Sequence, residues 1–390
     1  VADRRPPSEA ELFNPELQTA GWRRRLKASE PGRLAAALYR RRALPLHMVR
    51  APGGLREAPL ASPAARRRVR AVVWIPAGPG SLDGVLAAWE SAAASSPGEV
   101  ALLVTDDWSS DAHLAAIRAH VPDAVVVRTR TPSGGPPRLW PVTALALRTA
   151  LAHFEFDYLV KFDTDALAVG PHWVQGIASA IAAAQLADPV TAPEDAGSPA
   201  VTLPAAVPIG IAGAFIERPD GEQETDRPYH QRVIRGEVPR DGQVASWVRR
   251  AEAQGWPFGS IVQGGCLTLT HQLCAAIADA GALDYRPRMR TIVSEDLLLT
   301  VLAYALGFRA ASLGGPNGPL AIANKHLPLA VDDLIDPASR WLVAHSTKIG
   351  LEGEPEAEIR ERARAARSTW ASSCAPTIAA ERAASSPDSH

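Results

Sequence analysis

Between residues 70 and 165, short β-branched runs alternate with helix-forming segments, and this alternation limits the possible folds more than any other feature of the chain. "RAVVWIPA" (70–77), "EVALLVTDDW" (99–108), "AVVVRTR" (124–130) and "YLVKFDTD" (158–165) read as strands. Between them, "LDGVLAAWESAAAS" (82–95), "SDAHLAAIRAH" (110–120, with Ser or Asp as its cap) and "PVTALALRTALAHF" (141–154, with Pro in its first turn) read as helices. Strands and helices in strict alternation predict an α/β sheet with parallel strands. Ligands of such sheets gather outside the carboxyl ends of the strands. Asp106–Asp107 and Asp163–Asp165 sit at two of those ends.

Two carboxylates one residue apart repel each other, and a divalent cation offsets that repulsion. Hard oxygen ligands suit Mg²⁺ or Mn²⁺. The competing reading of an isolated Asp-x-Asp is a solvated turn, because Asp is common in turns.

The second half is less regular. A helix is expected near 173–187, followed by a Pro- and Gly-rich stretch over 188–260 with a strand at 206–217 and a helix at 244–254. "SIVQGGCLTLTHQLCAAIADAG" (260–281) is expected to pass from a strand over a Gly pair into a helix. The apolar helix at 293–307 carries Ser294, Glu295 and Asp296 in its first turn. Strands follow at 308–314 and 340–348, then a charged helix at about 354–366 and a Ser/Ala-rich end read as disordered. There are no internal repeats.

Charge is distributed unevenly. Residues 1–70 carry sixteen Lys/Arg against six Asp/Glu, so the rest of this chain of net charge −1 is acidic. The arm, 1–68, is expected to be helical or extended and to pack on that acidic body. Its arginine clusters, such as Arg23–Arg25 and Arg66–Arg68, lack interleaved aromatics, so no nucleic-acid partner is expected. Cys266, Cys274 and Cys374 show no metal-binding spacing and cannot build a disulfide framework, which fits a reducing compartment. No apolar run reaches the roughly 18 residues of a membrane span, and the first residues lack a signal-peptide core. A cytoplasmic location follows as the expectation.

The order strand, helix, "VTDDWSSD", helix, strand, helix, "KFDTDALAVG", Gly-Gly segment and "SED" helix start resembles the GT-A fold glycosyltransferases, nearest to inverting families of the GT2 and GT31 kind. The resemblance covers about residues 70–350. It implies an α/β, Rossmann-like fold with a mixed central sheet, flanked by an N-terminal helical arm and a C-terminal helical tail. Residues 69–170 would form the nucleotide-sugar half, 171–350 the acceptor half and 351–390 the tail. It also implies roles. Asp106 or Asp107 holds the nucleotide base. Asp163 and Asp165 bind Mn²⁺ or Mg²⁺ on the diphosphate, Asp165 directly and Asp163 through water or the ribose. Asp296 is the catalytic base and Glu295 bonds acceptor hydroxyls. His345 is a further metal ligand, with His326 as its competitor, and Lys348 meets the diphosphate.

The residue chemistry agrees with these roles. A cation neutralises a nucleoside-diphosphate leaving group, a hydroxyl nucleophile needs a base, and a carboxylate is stable in a helix's first turn. An imidazole ligand favours Mn²⁺ over Mg²⁺.

Gly264 and Gly265 can let backbone approach the donor sugar, or mark a tight strand-to-helix bend. Trp247 and Trp256 are candidate sugar platforms, or else core anchors. His172 reads as a surface turn residue.

The pattern is broken in places. "PAGPGS" ends the first strand where relatives offer a polar nucleotide contact, and Trp108 stands where a small residue is usual. The expected activity is transfer of a sugar, a UDP-hexose by expectation, to a hydroxyl of a small molecule, glycan or protein. The alternatives are a sugar nucleotidyltransferase, weakened because "AGPGSLDG" lacks Lys and Arg, and a non-catalytic sugar-binding module, weakened because the acidic pairs are present.

Overall fold

A computed structural model describes residues 65–107, 109–128, 140–187, 207–215, 234, 242–283, 294–315, 318–323 and 325–384. The expected arm, apart from its last residues, and Trp108 lie outside the described residues. The described residues all belong to one unit, Leu55–His390.

The first βα repeats form as the alternation predicts. After the short strand β1 (Arg67–Arg68) come β2 (Ala71–Ala77), α1 (Leu82–Ser95), β3 (Val100–Asp106), α2 (Asp111–His120), β4 (Val125–Arg128) and α3 (Trp140–His153). Ser110 caps α2 by accepting a hydrogen bond from the His113 amide at 3.2 Å. The short β5 (Phe154–Glu155), which among the described residues pairs only with β1, leads into β6 (Tyr158–Phe162). β7 (Leu167–Ala168), α4 (Trp173–Leu186), β8 (Ile209–Phe215) and α5 (Gly242–Ala253) follow. Next are β9 (Val262–Thr270), α6 (His271–Asp279), α7 (Glu295–Ala305), β10 (Arg309–Ser312), β11 (Leu320–Ile322), α8 (Val331–Ile335), β12 (Val343–His345) and α9 (Glu356–Ala384).

The main sheet has seven strands in the order β10-β8-β9-β6-β2-β3-β4. All neighbours are parallel except at β9, which runs against both β6 and β8. β2 lies inside the sheet and is buried on both faces, so it reads as a continuous apolar run. Alternate residues serve two cores. Val72 and Trp74 pack with α3, α5, α6 and α7. Val73 and Ile75 pack with α1, α2 and α4 on the other face.

A second sheet, β11-β12-β7, packs with α1, α8 and α9 around Leu167, Ala344 and Ile359. It matters for the site because β12 is antiparallel to β7 and ends at His345, just beside the turn that follows β6.

Two expectations are corrected. The Gly pair is no strand-to-helix bend: β9 continues through Gly264 and Gly265, where its register against β8 shifts, and α6 starts six residues later at His271, behind the Thr270 cap. The tail helix does not stop near 366 but continues to Ala384.

Candidate metal and transfer site

β6 delivers its C-terminal end into a tight turn. The Ala166 amide donates to the Asp163 carbonyl at 2.9 Å, so the two aspartates project from one loop. Asp163 is partly exposed, whereas Asp165 is buried. The segment after β12 holds Asp165 firmly. The Thr347 amide and hydroxyl both donate to its carbonyl, at 2.9 and 3.0 Å, and Ser346 Oγ donates to its carboxylate. Lys348 Nζ lies 3.3 Å from Asp165 Oδ2 and is 64% exposed, so it faces both the aspartate and solvent.

His345 completes the group. Its Nε2 is 3.5 Å from Asp165 Oδ2 and 3.8 Å from Asp163 Oδ2. Among the described residues, Asp163, Asp165 and His345 offer ligand atoms that all lie within 4.8 Å of one another. Burial alone would raise the Asp165 pKa. The His345 hydrogen bond and charge, Ser346 and Lys348 outweigh it and hold the carboxyl well below the usual carboxylate range. Two carboxylates and an imidazole form a donor set that suits Mn²⁺, and Mg²⁺ less. His326, the competing histidine, is exposed and its Nδ1 sits 2.9 Å from the Leu327 carbonyl, outside this group.

The acidic start of α7 lies across Lys161 and Gly264. Lys161, in β6, is 2% exposed, and its ammonium reaches the Gly264 carbonyl (2.6 Å), Asp163 Oδ1 (2.7 Å) and Glu295 Oε1 (3.2 Å). Burial works against this charge, but Asp163 and then Glu295 outweigh it and raise the Lys161 pKa. Burial lifts the Glu295 pKa to about 7 against the pull of Lys161, with Asp296 and Asp163 adding to the rise. This corrects the expectation for Glu295: its carboxylate is buried against Lys161 and is not offered to an acceptor. Asp296 Oδ1 accepts from the Leu297 amide at 2.8 Å. Its Oδ2 lies 3.3 Å from where a Cβ on Gly264 would stand, so the missing side chain at 264 makes room for Asp296 and Lys161.

The remaining candidates divide. Asp106 is buried, and its Oδ2 accepts from Arg128 Nε (2.9 Å) and the Ser109 amide (3.0 Å), which ties it to its own loop. Asp107, next to it, is partly exposed. Trp247 and Trp256 are both buried in the α5–α7 core, and Trp256 Nε1 donates to the Ser260 carbonyl at 3.1 Å. They are core anchors, which corrects the sugar-platform reading. His172 is an exposed turn residue at the start of α4, with left-handed backbone (φ 53°).

Sequence reasoning missed Lys161, Ser346 and Thr347. The signal for Lys161 was present: a lone lysine stands between Val160 and Phe162, inside an apolar run just before the acidic pair.

No protein family model matches this chain. No curated protein matches it either. Among solved structures it is similar to the mannosyltransferase PcManGT from Pyrobaculum calidifontis in complex with GDP-Man and Mn²⁺, at 20% identity over 73% of this chain and 66% of that one, with a TM-score of 0.34. It is similar to TarS 1–349 of S. aureus at 14% identity, covering 63% of this chain and 58% of that one, TM-score 0.34. The bifunctional glycosyltransferase WbbM gives 10% identity, 67% and 41% coverage and TM-score 0.34. The chain thus spans 66% or less of the length of each of these structures. At this level of likeness the reading of the site rests on its own geometry. The mixed seven-stranded sheet, with the acidic pair at the end of β6, agrees with the GT-A-like α/β fold that the resemblance implies. Among the described residues no helix is long and apolar enough to cross a membrane.

Proposed function

We propose that this chain is a metal-dependent glycosyltransferase that moves a hexose from a nucleoside-diphosphate sugar, a UDP-sugar by preference, to an acceptor hydroxyl with inversion. The observation that carries this reading is the convergence of Asp163, Asp165 and His345 within 4.8 Å at a strand end, with the acidic start of α7 on the far side of Gly264. Asp163, Asp165 and His345 are the residues that would hold Mn²⁺ or Mg²⁺. When bound, such an ion supplies charge neutralisation for the departing diphosphate.

The chain's own groups divide the remaining work. Lys348, exposed beside Asp165, meets the diphosphate as a mobile point charge. Asp107, at the end of β3, faces the nucleotide, while Asp106 holds the loop through Arg128. Asp296, in the first turn of α7, takes the proton from the acceptor hydroxyl. Gly264 stands next to Asp296 and Lys161, and Gly265 next to the His345 ring.

The test is a thermal-shift panel on the full chain with UDP-glucose, UDP-galactose and GDP-mannose, each with and without Mn²⁺. A ligand that binds only the folded state raises the melting temperature by mass action. The expected result is a rise that needs the nucleotide sugar and Mn²⁺ together and disappears in EDTA. No shift with any donor at millimolar concentration would overturn the reading.

A further inference from the structure

Lys161 is a residue that the transfer chemistry does not call for. It lies on β6, on the sheet face covered by α7, and is paired across the sheet with Trp74 and Leu267. Burying an ammonium is costly unless its charge and its donors are met. Here an ammonium with three donors finds three oxygens: the Gly264 carbonyl, Asp163 Oδ1 and Glu295 Oε1, at 2.6, 2.7 and 3.2 Å. Glu295 and Gly264 alone would leave one of the three donors unmet, and Asp163 supplies the third acceptor. The contact to Asp163 goes further. It holds one oxygen of that carboxylate, Oδ1, while the other, Oδ2, is left 3.8 Å from His345 Nε2. The orientation of the Asp163 carboxylate is therefore set from behind, by a group with no access to solvent.

Resting on the metal-site reading above, we propose that Lys161 is a positioning residue. It fixes the Asp163 carboxylate for cation binding and, through Glu295, ties that carboxylate to the first turn of α7, where Asp296 lies. Donor-side and acceptor-side halves of the site then share one buried ammonium. Lys161 does not touch substrate. It acts as the partners behind metal ligands do, by orienting them, and loss of such partners usually weakens metal binding about 10–100-fold.

Charge and position make opposite forecasts, which allows a clean test. A cation next to a metal ligand repels the metal, so removing Lys161 for its charge alone would tighten Mn²⁺ binding. Removing it as a positioner would weaken binding. The decisive variant is the double change Lys161→Met with Glu295→Gln, compared with wild type at pH 8, above the Glu295 pKa of about 7, where it deletes one positive and one negative charge and leaves the local balance unaltered. It also avoids stranding a buried carboxylate, as Lys161→Met alone would. Mn²⁺ affinity of the full chain is read from the electron paramagnetic resonance signal of free Mn²⁺, and the fold from circular dichroism melting without metal.

The expected result is a double variant that melts within a few degrees of wild type and binds Mn²⁺ about 10–100-fold more weakly, with Glu295→Gln alone near wild type in affinity. Wild-type or tighter Mn²⁺ binding by the double variant overturns the proposal. So does an equal loss in the isosteric Glu295→Gln variant, which keeps the Lys161–Asp163 contact and serves if the double variant does not fold. A wild-type chain that binds no Mn²⁺ fails at the metal site itself, and that outcome is distinguishable from the others.

Discussion

The Gly265 backbone lies flat against the His345 ring: a Cβ built on Gly265 would stand 2.2 Å from Nδ1 and 2.3 Å from Cε1 of the imidazole. The second glycine of the pair therefore makes room for a ligand side chain of the protein itself. Gly265→Ala should push the ring away from Asp163 and Asp165, because overpacking moves neighbours at a cost of about 1–3 kcal/mol. The expected outcome is a folded protein with roughly tenfold weaker Mn²⁺ binding, a loss of the size seen when groups orienting a ligand are disturbed. Calorimetric titration with Mn²⁺ checks it, and unchanged affinity counts against the assigned ligand set.

Metal removal is the second prediction. EDTA should abolish turnover and Mn²⁺ should restore it, since a cation at a leaving diphosphate supplies several kcal/mol of transition-state stabilisation. Asp165→Ala should remove both Mn²⁺ binding and turnover. His345→Ala should weaken Mn²⁺ and nucleoside-diphosphate binding together, and His326→Ala should leave both near wild type. A larger effect at His326 would mean the wrong histidine has been assigned.

The third prediction concerns pH and stability. The Glu295 pKa rises from 4.5 to about 7 on folding, so between these values the folded state binds more protons than the unfolded one. Its contribution is thus fully present below about pH 4.5 and is lost as pH rises through about 7. Asp165 has the opposite sign. Its folded pKa is depressed below 3.8, so its contribution is present above that value and is lost only as pH falls through the folded pKa. Melting curves at pH 5 and pH 8 should show Glu295→Gln gaining on wild type by several degrees across the interval, on the order expected for a shift of this size. Asp165→Asn should lose stability relative to wild type by the same amount at both pH values.

The base and the stereochemistry make the fourth prediction. Asp296→Asn keeps size and the hydrogen bond to the Leu297 amide but removes the proton acceptor. It should lower kcat by about 10²–10⁴, with donor affinity little changed. Direct displacement inverts the anomeric centre, so an α-linked donor should give a β-linked product by proton coupling in NMR. An α-linked product would remove the role given to Asp296.

Much of the first βα region, β2 to β6, was legible in the sequence because it repeats a simple period. Helix α1 matches its expected span, and β2 and β3 match theirs to within two residues at each end, since an apolar run bounded by Gly, Pro or Ser leaves little choice. Asp163 and Asp165 stood out by residue type and spacing and His345 through the resemblance, and the structure brings the three together. The side chains that turn inward were not legible. Alternation along β6 sends Lys161 to one face but cannot say that α7 covers that face with Glu295. A carboxylate in a first turn reads the same whether it meets solvent or a buried lysine, which is why the burial of Glu295 was not foreseen. Trp247 and Trp256 stand in an irregular stretch whose tertiary burial no local pattern reports. The Gly pair in β9 read either as a close approach to a ligand or as a bend, whereas here it clears space for His345 and Asp296.

The carbonyl of Asp165 is held by Thr347, 182 residues further along the chain. A ribosome adding about 5–20 residues per second needs roughly 10–40 s to cover that distance. For that interval the nascent protein carries its acidic pair without the histidine, the hydroxyls and the lysine that later enclose it. The group of Asp163, Asp165 and His345 is thus complete only late in the life of each molecule, in chains whose synthesis has passed β12.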